Sequence, residues 1–273
     1  MEKLLVFTDI HLVPEGRDII GIDPARRFRD GLAHALAAHP DAARVILTGD
    51  LTHHGRPGEY ARLRDALSGC PLPVSLLVGN HDDRPAFRAA FPDAPVDGAG
   101  FVQGVVDMGG YRLIMLDTLD EAAEIAHSGR LCPDRLGWMR AAIERAAGRR
   151  VILFLHHPPI ITGFAGMDRI GLRNRAELAD ILADYPQVCQ IIAGHVHRTI
   201  SGATAGIPTA IFKSPCHQMP MALTPETTEI SIAEPGAYGV LLLTDDGVIV
   251  HTEDFTLPFV QIESYASDTE NAA

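Results

Sequence analysis

The chain has 273 residues, 47% of them apolar and 21% charged, with a formal charge of −12. That length suits one large domain or two small ones, and the balance is that of an ordinary globular protein. The acidity disfavours nonspecific binding to polyanions such as duplex DNA, and no apolar run approaches the ~20 residues that span a bilayer.

The opening "MEKLLVFTDI" reads as a strand that starts at once. Its apolar stretch, Leu4 to Phe7, meets Thr8 and Asp9 with no small-residue cleavage site behind it, so the chain is read as cytoplasmic, without a signal peptide. Pro24–Ala38 follows Asp23, a helix N-cap with proline in the first turn. Val45–Leu47 is a second strand, running into Gly49 and Asp50, and Gly58–Leu67 a second helix. Val74–Val78 runs into "GNHDD", followed by a helix over Arg84–Ala90. Strands over Phe101–Asp107 and Tyr111–Leu116 precede a helix over Asp134–Ala147. Val151–Leu155 then leads into His156 and His157. A helix over Asn174–Leu182 precedes Val188–Ala193, which leads into "GHVH". Further strands lie at Ile207–Phe212, Gly239–Thr244 and Val248–Thr252. The last two are joined by an Asp-Gly turn, a hairpin signal. The acidic tail Gln261–Ala273 is read as mobile. Cys70, Cys132, Cys189 and Cys216 form no C-x-x-C pair and are read as free thiols.

Short runs of Val, Ile and Leu without alternation mark strands buried on both faces. Their alternation with helices implies two packed sheets with helices outside. In such sheets, sites form at the carboxyl ends of strands. Here those ends carry Asp9, His11, Asp50, Asn80, His81, His156, His195 and His197. In an extended segment, His195 and His197 would face the same side. Asp9, His11, Asp50, Asn80, His156, His195 and His197 are nitrogen and oxygen donors without sulfur, too many for one tetrahedral zinc ion. They suit two metal ions that share one ligand. Asp50 is the natural bridge, because a carboxylate offsets repulsion between cations ~3.5–4 Å apart. The donor types point to Fe, Zn, Mn or Co. Two such ions lower the pKa of a bound water and hold phosphoryl oxygens in line with it. His81, beside Asn80, is placed to protonate a leaving alkoxide.

These blocks resemble the calcineurin-like metallophosphoesterase superfamily. Its pattern reads here as "DIH" (Asp9–His11), "GD" (Gly49–Asp50), "GNHD" (Gly79–Asp82), "HH" (His156–His157) and "GHVH" (Gly194–His197), over about residues 1–215. The resemblance implies a four-layer α/β/β/α sandwich of two mixed β-sheets flanked by helices. It implies that Asp9, His11, Asp50 and His197 hold one metal and that Asp50, Asn80, His156 and His195 hold the other, with His81 on the phosphate and leaving group. "GRPGEY" (Gly55–Tyr60), "HHPP" and "SPCHQMP" (Ser214–Pro220) are similar to the branch of bacterial class III cyclic nucleotide phosphodiesterases and related glycerophosphodiesterases. In that branch a histidine at the position of His217 lies near the substrate, and a C-terminal β segment, here within 200–260, helps form a dimer. Thr52 and His53 stand where purple acid phosphatases need a tyrosine ligand, and Val78 where Ser/Thr phosphatases carry an arginine.

The expected function is therefore hydrolysis of small phosphodiesters by in-line attack of a metal-bound hydroxide, on 3′,5′- or 2′,3′-cAMP. The alternatives are a glycerophosphodiester or broad-specificity phosphodiesterase, a phosphomonoesterase, or a noncatalytic binding protein on the same fold. Asp50 and His81 are the candidate catalytic residues. Asn80, His81, His217 and His53 are the candidate substrate contacts, with His53 and His54 equally readable as an exposed loop. His157 is read as packing or support behind the ligands. Arg84 is read as a surface charge, and His34, His39, His127 and His251 as structural or exposed. Phe164, Met167 and Met219 are read as core or dimer contacts rather than an apolar wall for a base or an alkyl group. The expected partners are a small phosphodiester and a second copy of the chain, with no nucleic-acid polymer and no membrane.

Overall fold

Strands buried on both faces organise the molecule. A computed structural model describes residues 1–224, 228 and 230–258; the expected mobile tail lies outside them. One sheet has β1 (Glu2–Phe7) at its centre, with β2 (Arg44–Thr48) and then β3 (Val74–Leu77) parallel to it. On its other side β10 (Tyr238–Leu243) runs antiparallel, followed by β11 (Val248–Glu253). The second sheet has the order β4 (Gly104–Met108), β5 (Tyr111–Leu116), β6 (Arg150–Leu155), β7 (Val188–Ala193), β9 (Ile207–Ile211), β8 (Ile200–Thr204), with β5, β6, β7 and β9 parallel.

Alternate residues of each central strand feed different cores. Leu4, Val6, Ile46, Phe154 and Ile192 pack between the two sheets. Leu5, Phe7, Val45 and Leu47 face outward, onto Phe28 of α1 (Pro24–Ala38), Tyr60 and Leu63 of α2 (Pro57–Leu67) and Phe87 of α3 (Arg84–Ala90). Leu153, Leu155 and Ile191 face the other way, onto Met139 and Ile143 of α4 (Pro133–Glu144) and Leu178 of α6 (Arg175–Leu182). Three cores between four layers make the α/β/β/α sandwich. The four cysteines are free thiols.

Several boundaries differ from the sequence-based expectation for local reasons. β4 starts at Gly104 because the preceding residues form a turn, in which the Asp97 carboxylate accepts from the Phe101 N–H at 2.9 Å. α4 stops at Glu144, just before Ala147, which takes a left-handed φ of 52°. β8 and the one-turn helix α5 (Ala165–Arg169) are additional elements. β8 is an edge strand whose Ser201, Gly202 and Ala203 are exposed, so it carries no apolar pattern.

Candidate metal centre and substrate cavity

The parallel strands of both sheets end at one edge, and their C-terminal loops bring the candidate ligands together. Asp9 and His11 follow β1, Asp50 follows β2, Asn80 follows β3, His156 follows β6, and His195 and His197 follow β7. Asp9, His11, Asp50, His195 and His197 all have positive φ, between 46° and 74°. Such backbone strain in non-glycine residues persists only where packing enforces it, and it clusters at functional sites. It also corrects the expectation of strand alternation. β7 ends at Ala193, and His195 and His197 lie in a left-handed loop. It sends the His195 ring beside those of His156 and His157 (5.2 and 4.7 Å between centroids), and that of His197 beside His11 and His217 (4.9 and 4.6 Å).

Close approach explains two glycines. A Cβ at Gly79 would overlap the Asp50 carboxylate, and one at Gly194 would overlap Thr8 Oγ1 and Asp9.

Asp50 sits at the centre. Its Oδ2 lies 3.6 Å from His11 Nε2 and 3.3 Å from His156 Nε2, while Oδ1 accepts the His81 backbone N–H at 2.8 Å. Asp9 Oδ1 lies 3.4 Å from His197 Nε2, and the Asp9 carboxylate accepts from Thr8 Oγ1 and the His195 N–H. Asn80 Oδ1 is 3.1 Å from His156 Nε2. Behind the cluster, His156 Nδ1–H donates to Thr48 O at 3.0 Å and His197 Nδ1–H to His217 O at 2.8 Å. These bonds fix which nitrogen of each ring faces the site.

The donor set calls for positive charge. Burial opposes ionisation of Asp50, but His156 and His81 outweigh it and hold the carboxyl well below its usual range. Burial likewise opposes charge on His156, yet Asp50 and Asp9 push it up to about 9. Burial, then the charge of His156, pushes His195 down to about 3. The Nε2 of this neutral ring is buried with no hydrogen-bond partner among the described residues. His11 Nε2 and His197 Nε2 face each other at 3.0 Å. Facing imidazole nitrogens, two buried carboxylates and an orphaned ring nitrogen fit metal cations of the nitrogen- and oxygen-binding kind.

The other motif residues support this cluster. Asp82 accepts from the N–H groups of Leu51, Thr52 and Gly79 and from the Tyr60 hydroxyl, which pins the loops after β2 and β3 to each other. Burial and the charge of Asp50 push Asp82 up to about 6 against those bonds. His157 lies behind the candidate ligands, bonded through Nδ1 to Thr118 Oγ1 at 2.8 Å and through Nε2 to His127 O at 3.1 Å.

A cavity of about 450 Å³ opens over the cluster, lined by His11, Asp50, Asn80, His81, His195 and His197 and also by His53, His127 and His217. His53 stacks on His81 at 5.2 Å and 16°, and His81 Nδ1–H donates to His53 O at 2.9 Å. His54 turns away to Glu59, 2.9 Å from its carboxylate, at the start of α2. His217 is buried, and its Nδ1 lacks a partner among the described residues.

Two expectations need correction. His127 is part of the site: Asn80 Nδ2–H donates to its Nδ1 at 3.1 Å, and its ring stacks on His81 at 5.0 Å. Nothing local in the sequence marks it. Its loop is delivered by His157 and by the bridges Leu119↔Gly129 and Gly129↔Leu172. Arg84 is no surface charge. It is buried and bonded to both oxygens of Asp117 at 2.7 and 2.9 Å, an acid supplied by the end of β5. Among the remaining histidines, His34 bonds the Tyr238 hydroxyl, and His39 and His251 line a separate groove. A hollow of about 880 Å³ around α3 lies apart from the candidate metal centre, with its Arg84 already paired to Asp117 and Glu121.

A family model for calcineurin-like phosphoesterases matches residues 2–199. A probable cyclic nucleotide phosphodiesterase of Rhodopseudomonas palustris is 40% identical over 254 residues, covering 93% of this chain and 92% of that protein. A 3′,5′-cyclic adenosine monophosphate phosphodiesterase of Pseudomonas aeruginosa is 30% identical over 247 residues, covering 89% of this chain and 86% of that one. Among solved structures, a dimetal phosphatase from Danio rerio superposes with a TM-score of 0.70 at 15% identity, covering 92% of this chain and 95% of its own, a likeness of fold.

Proposed function

The chain belongs to the calcineurin-like phosphoesterase family, and from that premise we propose that it is a two-metal phosphodiesterase of small diesters, with a cyclic nucleotide as substrate. The observation that carries the reading is the place of Asp50 Oδ2, between His11 Nε2 at 3.6 Å and His156 Nε2 at 3.3 Å. A single carboxylate oxygen set between two imidazoles is the arrangement that two cations share. Asp9, His11, Asp50 and His197 would hold one ion, and Asp50, Asn80, His156 and His195 the other. When bound, such ions make a water acidic enough to ionise near neutrality and offset the charge on phosphoryl oxygens. The imidazole and carboxylate donors suit Mn, Fe, Zn or Co.

The chain's own groups do the rest. Thr48 O and His217 O keep the Nε2 atoms of His156 and His197 turned inward. His127 Nδ1 accepts a hydrogen bond from the Asn80 amide, which turns Asn80 Oδ1 toward His156. His53 O holds the Nδ1 proton of His81, so Nε2 is the atom left to serve the cavity. In its protonated form His81 gives that proton to the departing alkoxide. His53, His217 and Asn80 border the phosphate.

The wider reading includes a homodimer through the C-terminal β segment, where edge strand β11 leaves Ile249 47% exposed. It also includes a cytoplasmic location; among the described residues no helix is long and apolar enough to cross a membrane.

Product analysis of the Mn-loaded protein tests the reading, with 3′,5′-cAMP, 2′,3′-cAMP, glycerophosphoethanolamine and a nucleoside monophosphate side by side. Opening of a cyclic nucleotide with the monophosphate left intact is the expected result. A monophosphate turned over faster than every diester would overturn it. Fewer than one metal per chain after reconstitution with Mn, Fe or Zn would remove the catalytic reading altogether.

A further inference from the structure

One wall of the catalytic cavity offers nothing to a metal or a phosphate. Met167, Ile170 and Met219 line it, in the same space as Asp50, His81 and His197. The wall is built, not incidental. Phe164, Met167, Ala193, Val196 and Ile211 form a buried cluster, with Ile170 and Met219 packed against it. Two fixtures hold it. The Asp168 carboxylate accepts from Thr162 N at 2.8 Å, Thr162 Oγ1 at 2.7 Å and Gly163 N at 2.9 Å, which fastens the turn leading into α5 and Met167. Arg198, next to His197, donates to Met219 O at 3.0 Å and to Glu234 at 2.8 Å, which ties Met219 to the ligand loop.

The rest of the lining limits what the wall can receive. Among the described residues it holds no Lys or Arg, no carboxylate besides Asp50, and no Phe, Tyr or Trp ring. Among the described residues, the apolar side chains themselves offer an anionic group no countercharge. A flat, uncharged ring fits, because thioethers and branched alkyl groups pack well on ring faces. The Ser231 hydroxyl on the same lining can meet a polar ring edge.

We infer that this wall seats the base of a nucleoside phosphodiester, and that Met219, Met167 and Ile170 set the preference for nucleotide diesters over diesters without a base. The inference rests on the cyclic nucleotide phosphodiesterase reading and adds to it the side chains that select for the base. Met167 and Met219 pack in a buried cluster, as read from the sequence, and also line the cavity. Phe164 stays with that reading, beneath the wall.

The test compares kcat/KM for 3′,5′-cAMP with that for methyl 4-nitrophenyl phosphate, which has no base, in the metal-loaded wild type, Met219→Ala, Ile170→Ala and Met219→Leu. In the two alanine variants the cAMP-to-methyl-diester ratio should fall about tenfold, chiefly through KM for cAMP, the loss expected when a pocket contact of a few methylenes is removed. Met219→Leu, which conserves volume, should recover most of it. Equal losses on both substrates, or an unchanged ratio in both alanine variants, would overturn the base site while leaving the phosphodiesterase. A wild type that cleaves no diester would overturn the reading beneath it.

Discussion

Replacing His81 by alanine separates its ring from its backbone. The backbone N–H that holds Asp50 Oδ1 at 2.8 Å survives the substitution. The ring that is lost stacks on His53 and His127 and donates Nδ1–H to His53 O. The variant should therefore keep its metals and lose only what the ring does. General acid catalysis by a positioned side chain contributes about 10²–10⁴-fold. That corresponds to about 3–5 kcal/mol of barrier at 1.36 kcal/mol per tenfold. An alkoxide leaving group needs that proton, whereas 4-nitrophenolate leaves without it. We expect kcat to fall by at least about 100-fold on 3′,5′-cAMP and by less than about tenfold on bis(4-nitrophenyl) phosphate. The assay is steady-state turnover of both substrates at fixed metal, with elemental analysis of the same preparations. Equal losses on both substrates at full metal content would refute proton donation by His81.

Two further outcomes follow from single carboxylates. Asp50→Ala should bring metal content below one ion per chain and abolish turnover together, read by elemental analysis and activity; a variant that keeps two ions would sink the shared bridge. Asp117→Ala should leave Arg135 buried without its counter-ion and Arg84 with only the half-exposed Glu121, since Asp117 is fully buried and lies 2.7 Å from Arg84 and 3.7 Å from Arg135. Breaking a buried pair in this way costs about 3–5 kcal/mol. In a domain of this size that is a fall in Tm on the order of 10 °C, measured by thermal unfolding. An unchanged Tm would mean that the pair contributes nothing.

The sequence by itself determined the central strands and most of the candidate site. β1, β2, β6 and β7 are legible because burial on both faces demands unbroken Val, Ile and Leu. The candidate ligands are legible because they follow those strands directly, so a short window holds both the strand and its terminal Asp or His. Asp23 and Pro24 mark the start of α1 for the same reason: a cap acts within one turn. Only the tertiary structure decided how the ends are used. His195 and His197 diverge because Gly194 lets the loop press against Thr8 and Asp9, which come from a different sheet. His127 joins the site because His157 holds its carbonyl, and Arg84 is buried because Asp117 waits at the end of β5. Met167, Ile170 and Met219 become a wall only when segments far apart in sequence share one cavity. Local backbone preference and burial pattern are written in neighbouring residues. Close approach between loops depends on how both sheets pack, and no short window of sequence carries that information.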